Sequence, residues 1–495
     1  MVIRRLALAL TGTLASLALN AAAQTPTTNS PAPAGNTLLN VLIRKGILTE
    51  DEAKQIQAET DAAQTNQVNS LSASKWILPD AIKNIGLYGD ARLRYEYRGV
   101  DNVPGVSPGT FDRERFRYAL RLGIRGEMYD NITYGIRLET STNPRSPWVT
   151  FGDDSAPTPS DKHSDAINVG QIYIGWHPSE WFQMMVGRMP QQLYTTPMVW
   201  DSDINPEGAF EKFTWNVGNV DLFADFGQFD YQNPSSSSVF PSTDVFLFAW
   251  QLGADVKLDK DMSFKIAPAL YNYTGQGSPN GANAGLTLPY TGQGNAGVNV
   301  NFGGGAAFNQ NGINSLMILE IPAEFKFPIT TSTFGKLQGR FFGDFAINLD
   351  GNDRAKDAAT AAGLPHAYTG EVKAYQVGFG IGSAGPVYGP TQGLVYGTTS
   401  KKGTWEARAY WQHIEQYALD VNLIDSDFFE GRANLEGYYT AFAYSVTDAL
   451  IGTVRFGYAQ RINTALGTGG NNLDIPGINP INHYRLAQLD ITLRF

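Results

Sequence analysis

From residue 86 onwards the side chains change character at every second position. In Gly86–Arg98, Leu87, Gly89, Ala91, Leu93, Tyr95 and Tyr97 fall on one face, and Tyr88, Asp90, Arg92, Arg94, Glu96 and Arg98 on the other. Arg115–Met128 repeats the pattern, with Phe116, Tyr118, Leu120, Leu122, Ile124 and Met128 against Arg115, Arg117, Arg121, Arg125 and Glu127. Successive side chains of a strand point to opposite faces, so each segment reads as a strand with one apolar and one charged face. Both exceed the ~5–6 residues usual for a soluble strand. They also exceed the ~9–11 residues with which a tilted strand crosses a bilayer.

The alternation predicts further strands near 132–140, 167–177, 181–189, 209–217, 220–230, 244–257, 262–273, 314–327, 336–349, 373–382, 404–415, 436–446, 449–460 and 483–495, sixteen in all. Short connections at 129–131, 178–180, 218–219, 259–261 and 447–448 alternate with long ones, the third of which is 190–208. That rhythm is the mark of an up-and-down transmembrane β-barrel, an all-β antiparallel fold. It places both termini on the periplasmic side and the long loop 274–313 outside. The connection 383–403 breaks the rhythm and leaves sixteen or eighteen strands open. A soluble sandwich also alternates. Strand length, aromatics at the ends of the outward faces, and an ending in Leu489, Ile491, Leu493 and Phe495 favour the barrel.

Other classes fall away on composition. After residue 23 no stretch holds the ~18–20 uncharged apolar residues of a membrane-spanning helix. A formal charge of −10 without a basic block argues against nucleic-acid binding. Zero Cys removes disulfide scaffolds, thiolate metal sites and thiol catalysis. Five scattered His residues show no HExxH spacing. Gly380–Gly385 matches GxGxxG, but no helix is predicted after it, so no dinucleotide cofactor is expected.

The N-terminal part reads differently. Residues 1–23 carry Arg4 and Arg5, an apolar run and Ala21-Ala22-Ala23, the signature of a cleaved signal peptide. Residues 24–35 are a Pro/Thr/Asn-rich linker. In 36–68, Leu38, Leu39, Leu42 and Ile43 share a helical face, Gly46 ends that helix, and Thr49-Glu50-Asp51-Glu52 is a capping box opening a second. This periplasmic helical hairpin is expected to oligomerise or tether the barrel of residues 76–495, or to serve it as a plug or spacer.

Several runs carry a family resemblance: IKNIGLYGDARLRYEY (82–97), VGRMP (186–190), DSDINPEGAF (201–210), FFGDFAINLD (341–350) and the terminal ITLRF (491–495). Together they resemble the putative porins of Gram-negative outer membranes, over about residues 76–495. The resemblance implies a water-filled channel for passive diffusion of small hydrophilic solutes and ions, with no catalysis and no cofactor. It implies a homotrimer in contact with outer-membrane lipid and lipopolysaccharide. The terminal Phe495 is implied as the signal read by the barrel-assembly machinery. Two alternatives stay open: a sugar- or anion-specific channel, and a structural anchor tethered through the hairpin.

Candidate pore residues follow. Arg92, Arg94, Arg115, Arg117, Arg121 and Arg125 lie on the polar faces of the first two strands. An Arg facing lipid at mid-depth costs ~2–4 kcal/mol, so they are expected to form a basic ladder in the lumen. Pairing with Asp90, Glu96 and Glu127 is compatible with that role. From Pro190 to Glu211 there is no Lys or Arg, but there are Asp201, Asp203, Glu207 and Glu211 between Trp200 and Phe210. The resemblance implies that this third loop enters the lumen, with Pro206-Glu207-Gly208 as its bend, and opposes Arg115, Arg117 and Arg121. The result is a transverse field that filters polar solutes. Asp201 and Asp203 lack the ligand spacing of a calcium loop, so no metal is expected. The overall excess of acid suggests a mild preference for cations, and the local Arg cluster pulls the other way.

Overall fold

A computed structural model describes residues 81–102, 109–141, 146–152, 166–232, 245–274, 300–302, 305–307, 315–362, 366–383, 401–469 and 480–495, with Lys54, Ile313, Ile475 and Ile478 singly. The predicted signal peptide, linker and helical hairpin, Lys54 apart, lie outside the described residues, as does most of 274–313.

Sixteen antiparallel strands close into a barrel. In chain order they are β1 (Ile82–Asp101), β2 (Thr110–Met128), β3 (Ile132–Thr140), β4 (Ile167–Ser179), β5 (Phe182–Arg188), β6 (Glu207–Val217), β7 (Val220–Gln232), β8 (Val245–Asp259), β9 (Met262–Ile266 continued by Ala269–Tyr273), β10 (Met317–Thr331), β11 (Gly335–Asn348), β12 (Lys373–Gly382), β13 (Trp405–Ile414), β14 (Leu435–Ser445), β15 (Leu450–Arg461) and β16 (His483–Arg494). Each pairs with its neighbours in sequence. β1 also pairs with β16, from Asp90↔Arg494 to Asp101↔His483, which closes the ring. The count settles at sixteen because the irregular connection after β12 adds no strand among the described residues. A helix, α1 (Gly351–Ala362), follows β11.

Local chemistry explains the punctuation. Asp130 and Asn131 turn β2 into β3 with φ of 63° and 61°. Two consecutive left-handed residues match the right-handed twist of the flanking strands, and Asp and Asn tolerate that region best after Gly. β9 is broken at Pro268, which has no N–H for the ladder. Its carbonyl still accepts from Leu252 N at 3.0 Å. β2 overhangs the much shorter β3, and the two-residue strand Val149–Thr150 folds back to pair with the uncovered stretch at Arg117 and Tyr118.

The outward face is apolar. Leu87, Leu93, Phe116, Ile174, Leu252, Val377 and Phe456 are all exposed on it. Tyr129, Trp181, Trp215 and Phe334 mark the short-turn end, and Phe111, Phe246, Trp411 and Tyr438 the long-loop end. Aromatics at both edges of an apolar band are the interfacial girdles of a membrane barrel. The packed core lies inside the ring. Met189, Leu193, Met198, Val199 and Trp200 of one connection join Leu419, Val421, Leu423, Ile424, Phe428 and Phe429 of another, against wall residues Phe210, Phe229, Tyr271, Tyr410 and Tyr484. Each such side chain taken from water contributes about 1.5–3 kcal/mol.

Candidate functional site

Two long connections carry the aspartates that face the lumen. The first, residues 189–206 between β5 and β6, is fastened to the β8–β11 wall. Tyr194 N donates to Gln251 Oε1 at 2.7 Å, and Gln251 Nε2 donates back to Tyr194 O at 2.8 Å. Thr195 Oγ1 donates to Glu320 Oε1 at 2.6 Å, whose other oxygen accepts from Tyr271 OH, also at 2.6 Å. Thr196 Oγ1 donates to Asp344. Glu320 and Asp344 are almost fully buried, so these bonds replace the water that each carboxyl would otherwise lose. At its far side the loop reaches β2, where Asp203 pairs with Arg121. Burial pushes the Asp203 carboxyl up, but Arg121 and then Arg92 outweigh it and hold it below the ordinary carboxylate range.

The second connection, residues 415–434 between β13 and β14, docks on the first. Asp201 N donates to Leu423 O at 2.6 Å and Asp425 N to Pro197 O at 2.9 Å. Ser426 donates through both N and Oγ to Asp201 Oδ2 at 3.2 Å. Phe429, Glu430 and Asn434 hold φ of 65°, 59° and 62°, a region that costs non-Gly residues energy. Arg98 opposes that strain, donating to Glu430 Oε1 at 2.5 Å and to Ser426 O at 3.2 Å.

The opposite boundary is basic. A cavity of about 350 Å³ is lined by Arg92, Arg94, Arg121, Arg137, Arg408, Arg455 and Arg494 from β1, β2, β3, β13, β15 and β16. Asp201, Asp203, Asp425 and Asp427 line it from the two loops, and Asp490 from β16. Arg94 is the hub. It donates to Asp490 through Nε at 2.8 Å and Nη2 at 3.0 Å, and to Asp427 through Nη1 at 2.9 Å. Trp148 lies 4.0 Å from its guanidinium, brought there by the strand at 149–150. Arg455 also pairs with Asp490.

The six predicted arginines all point inwards, but they divide. Arg92, Arg94 and Arg121 line the cavity. Arg115 and Arg117 are buried and are not among its lining residues. Arg115 donates to Glu96 at 2.6 Å, and Arg117 reaches Trp148 O at 3.2 Å. Arg125 lies nearer the short-turn end, over the ring of Tyr88 at 4.8 Å. Of the proposed structural pairs, Asp90 takes Arg92 and Glu96 takes Arg94, Arg98 and Arg115, whereas Glu127 takes Lys83.

The acidic set needs a correction. Asp201 and Asp203 are in the lumenal loop, but Glu207 and Glu211 are in β6 and face outwards. They share the parity of Trp215 and Val217, 47% and 61% exposed, while Phe210 on the other parity is buried. Glu207 pairs across the strands with Arg188 at 2.9 Å, and Gln228 donates to Glu211 at 3.0 Å. Pro206-Glu207-Gly208 is therefore the entry to a strand and not a bend. Phe495 ends the ring, with backbone bonds in both directions to Gly89 at 2.9 and 3.1 Å and its side chain exposed. Among the described residues no group of His, Asp and Glu is arranged to hold a metal.

The sequence reading missed the second loop. Its signal was composition: a surface loop has no reason to carry Leu419, Val421, Leu423, Ile424, Phe428 and Phe429 within about ten residues. Arg408, Arg455 and Arg494 sit on the same strand parity that identified Arg92 and were legible in principle.

The family described as Putative porin matches residues 100–495. Among solved structures, a triple mutant of Rhodopseudomonas blastica porin aligns at 13% identity and a TM-score of 0.36, covering 83% of this chain and 100% of that one. Another mutant of Rh. blastica porin aligns at 14% identity with the same coverage and TM-score 0.36. No curated protein sequence matches the chain.

Proposed function

The chain belongs to the Putative porin family and is a porin channel, and from that premise we propose that it sits in the outer membrane and passes small hydrophilic solutes and ions by passive diffusion. The observation that carries this reading is the polar cavity bounded by the arginine arc on one side and the aspartates of two inward loops on the other. No covalent step is needed. Solutes cross a wet zone whose width is set by the loops and whose transverse field orients dipoles and penalises apolar solutes that gain nothing from it.

The same reading includes a cleaved leader at 1–23, the linker 24–35, a periplasmic hairpin at 36–68 and a barrel domain from about 76. It includes a homotrimer contacting lipid and lipopolysaccharide, and recognition of Phe495 by the barrel-assembly machinery. It includes no cofactor and no catalytic group. Purified protein in planar bilayers should give stepwise conductance that scales with salt. Absence of conductance from correctly folded, heat-modifiable protein would overturn the channel reading in favour of an anchor.

A further inference from the structure

We propose that the narrow zone selects anions, and among them small oxyanions such as carboxylates and inorganic phosphate. The inference rests on the porin reading and names the solute class that its lumen favours. It reverses the cation preference suggested by the excess of acid in the whole chain.

Seven guanidiniums and five carboxylates line the cavity, an excess of two positive charges at its surface. Asp90 and Glu139, the carboxylates beside Arg92 and Arg137, are not among the lining groups, so at these two pairs the cavity meets the guanidinium and not its carboxylate. The five lining carboxylates are also heavily engaged. Asp490 is held by Arg94 and Arg455, Asp427 by Arg94, Asp203 by Arg121 and Asp201 by Ser426. Asp425 accepts from the backbone N–H of Asp427 and Phe428. Burial, and then neighbouring Asp427, push the Asp425 carboxyl up to about 7, so the loop carries less than its formal charge near neutrality.

The asymmetry of donor capacity points the same way. A guanidinium has five N–H donors, and Arg92 gives Nε and Nη2 to Asp90, which leaves its Nη1 for a passing anion. No Lys lines the cavity. The planar fork of Arg fits two oxygens of one carboxylate or phosphate at once, which a halide cannot exploit. Two net charges felt from about 10 Å through water-like dielectric, screened at 0.1 M salt, give anions about a threefold advantage over cations.

The test uses the purified full chain in planar bilayers under a KCl gradient. The reversal potential is expected on the chloride side, with a permeability ratio of about three at 0.1 M salt. A reversal potential on the potassium side overturns the inference while leaving a channel, whereas the channel reading itself fails only if no conductance appears. Inorganic phosphate added to KCl is expected to block chloride current. In Arg408→Gln/Arg494→Gln the block should weaken about tenfold. An unchanged block in that variant overturns the oxyanion preference. Should that variant not assemble, Arg408→Lys/Arg494→Lys keeps the charge and loses the fork. It should retain chloride preference with a weaker block, and a block as strong as in the wild type overturns the inference equally.

Discussion

Two arcs of one barrel point polar side chains inwards and use them differently. Along β13, β15, β16 and β1–β3 seven inward arginines line a cavity, and their partners are spaced around it. Along β8–β11, Gln251, Tyr271, Glu320 and Asp344 meet Tyr194, Thr195 and Thr196 of the first loop and are buried by it. The alternation that sends a residue inwards is the same on both arcs. What faces the residue decides its job: a charge lining the cavity shapes the field, and a polar group facing backbone and hydroxyls holds a loop.

The largest effect should come from breaking the holding arc. Thr195→Val with Thr196→Val removes one hydroxyl donor each from Glu320 and Asp344, at about 1–3 kcal/mol for each buried oxygen left without its donor. The loop should leave the wall, and single-channel conductance should rise at least about twofold with added flicker. Conductance equal to the wild type would show that the loop is held by its apolar face alone. Next comes Arg98→Met, which leaves Glu96 and Glu430 short of a buried partner. Breaking a buried pair from one side costs about 3–5 kcal/mol. The temperature at which the barrel unfolds in detergent should fall, and a matching Arg98→Met/Glu430→Met pair should recover part of the loss.

Smaller changes test the field arc. Asp203→Asn should move the reversal potential towards anions and Arg121→Gln towards cations. Each pair interacts by only about 0.5–2 kcal/mol across a wet gap of about 8 Å. Both shifts should grow as salt falls from 0.1 to 0.01 M and the Debye length rises from ~10 to ~30 Å. The smallest effect is a pH dependence. Asp425 faces Asp427 and Asp203 on the loops and Tyr410 and Tyr439 on the wall. Its carboxyl is raised to about 7, so its stabilising contribution is full below the unfolded value of ~3.9 and is lost as pH rises through about 7. Between pH 6 and 8 the anion preference should therefore decline slightly, and Asp425→Asn should flatten that decline.

The strands were legible because each inward and outward face had to satisfy its own solvent. Leu87-x-Gly89-x-Ala91-x-Leu93 in β1 and Leu489-x-Ile491-x-Leu493 in β16 admit only one register with lipid outside. The outward position of Glu211 was also written there, since it shares parity with Phe213, Trp215 and Val217. Its charge alone groups it with the loop acids, but the strand begins at Glu207. The docking of 415–434 was less accessible. Asp201 finds Ser426 across 225 residues, and such a contact follows from where two loops end in space and from no local pattern. The covering of Arg115 and Arg117 is more local, because Glu96 is the cross-strand partner of Arg115 in the β1–β2 hairpin and Trp148 reaches Arg117 through the strand at 149–150.

The first loop is fastened to β10 and β11 at Thr195 and Thr196 and to β2 at Asp203. In a ring of sixteen strands, β2 and β10 lie eight apart and so face each other across the diameter. An empty cylindrical shell yields most easily by flattening into an oval, because that motion bends the wall without stretching it. A tie rod across the diameter opposes this mode. The aperture of this channel is therefore spanned by a chord fastened at both walls, which opposes the flattening that lateral membrane pressure would drive.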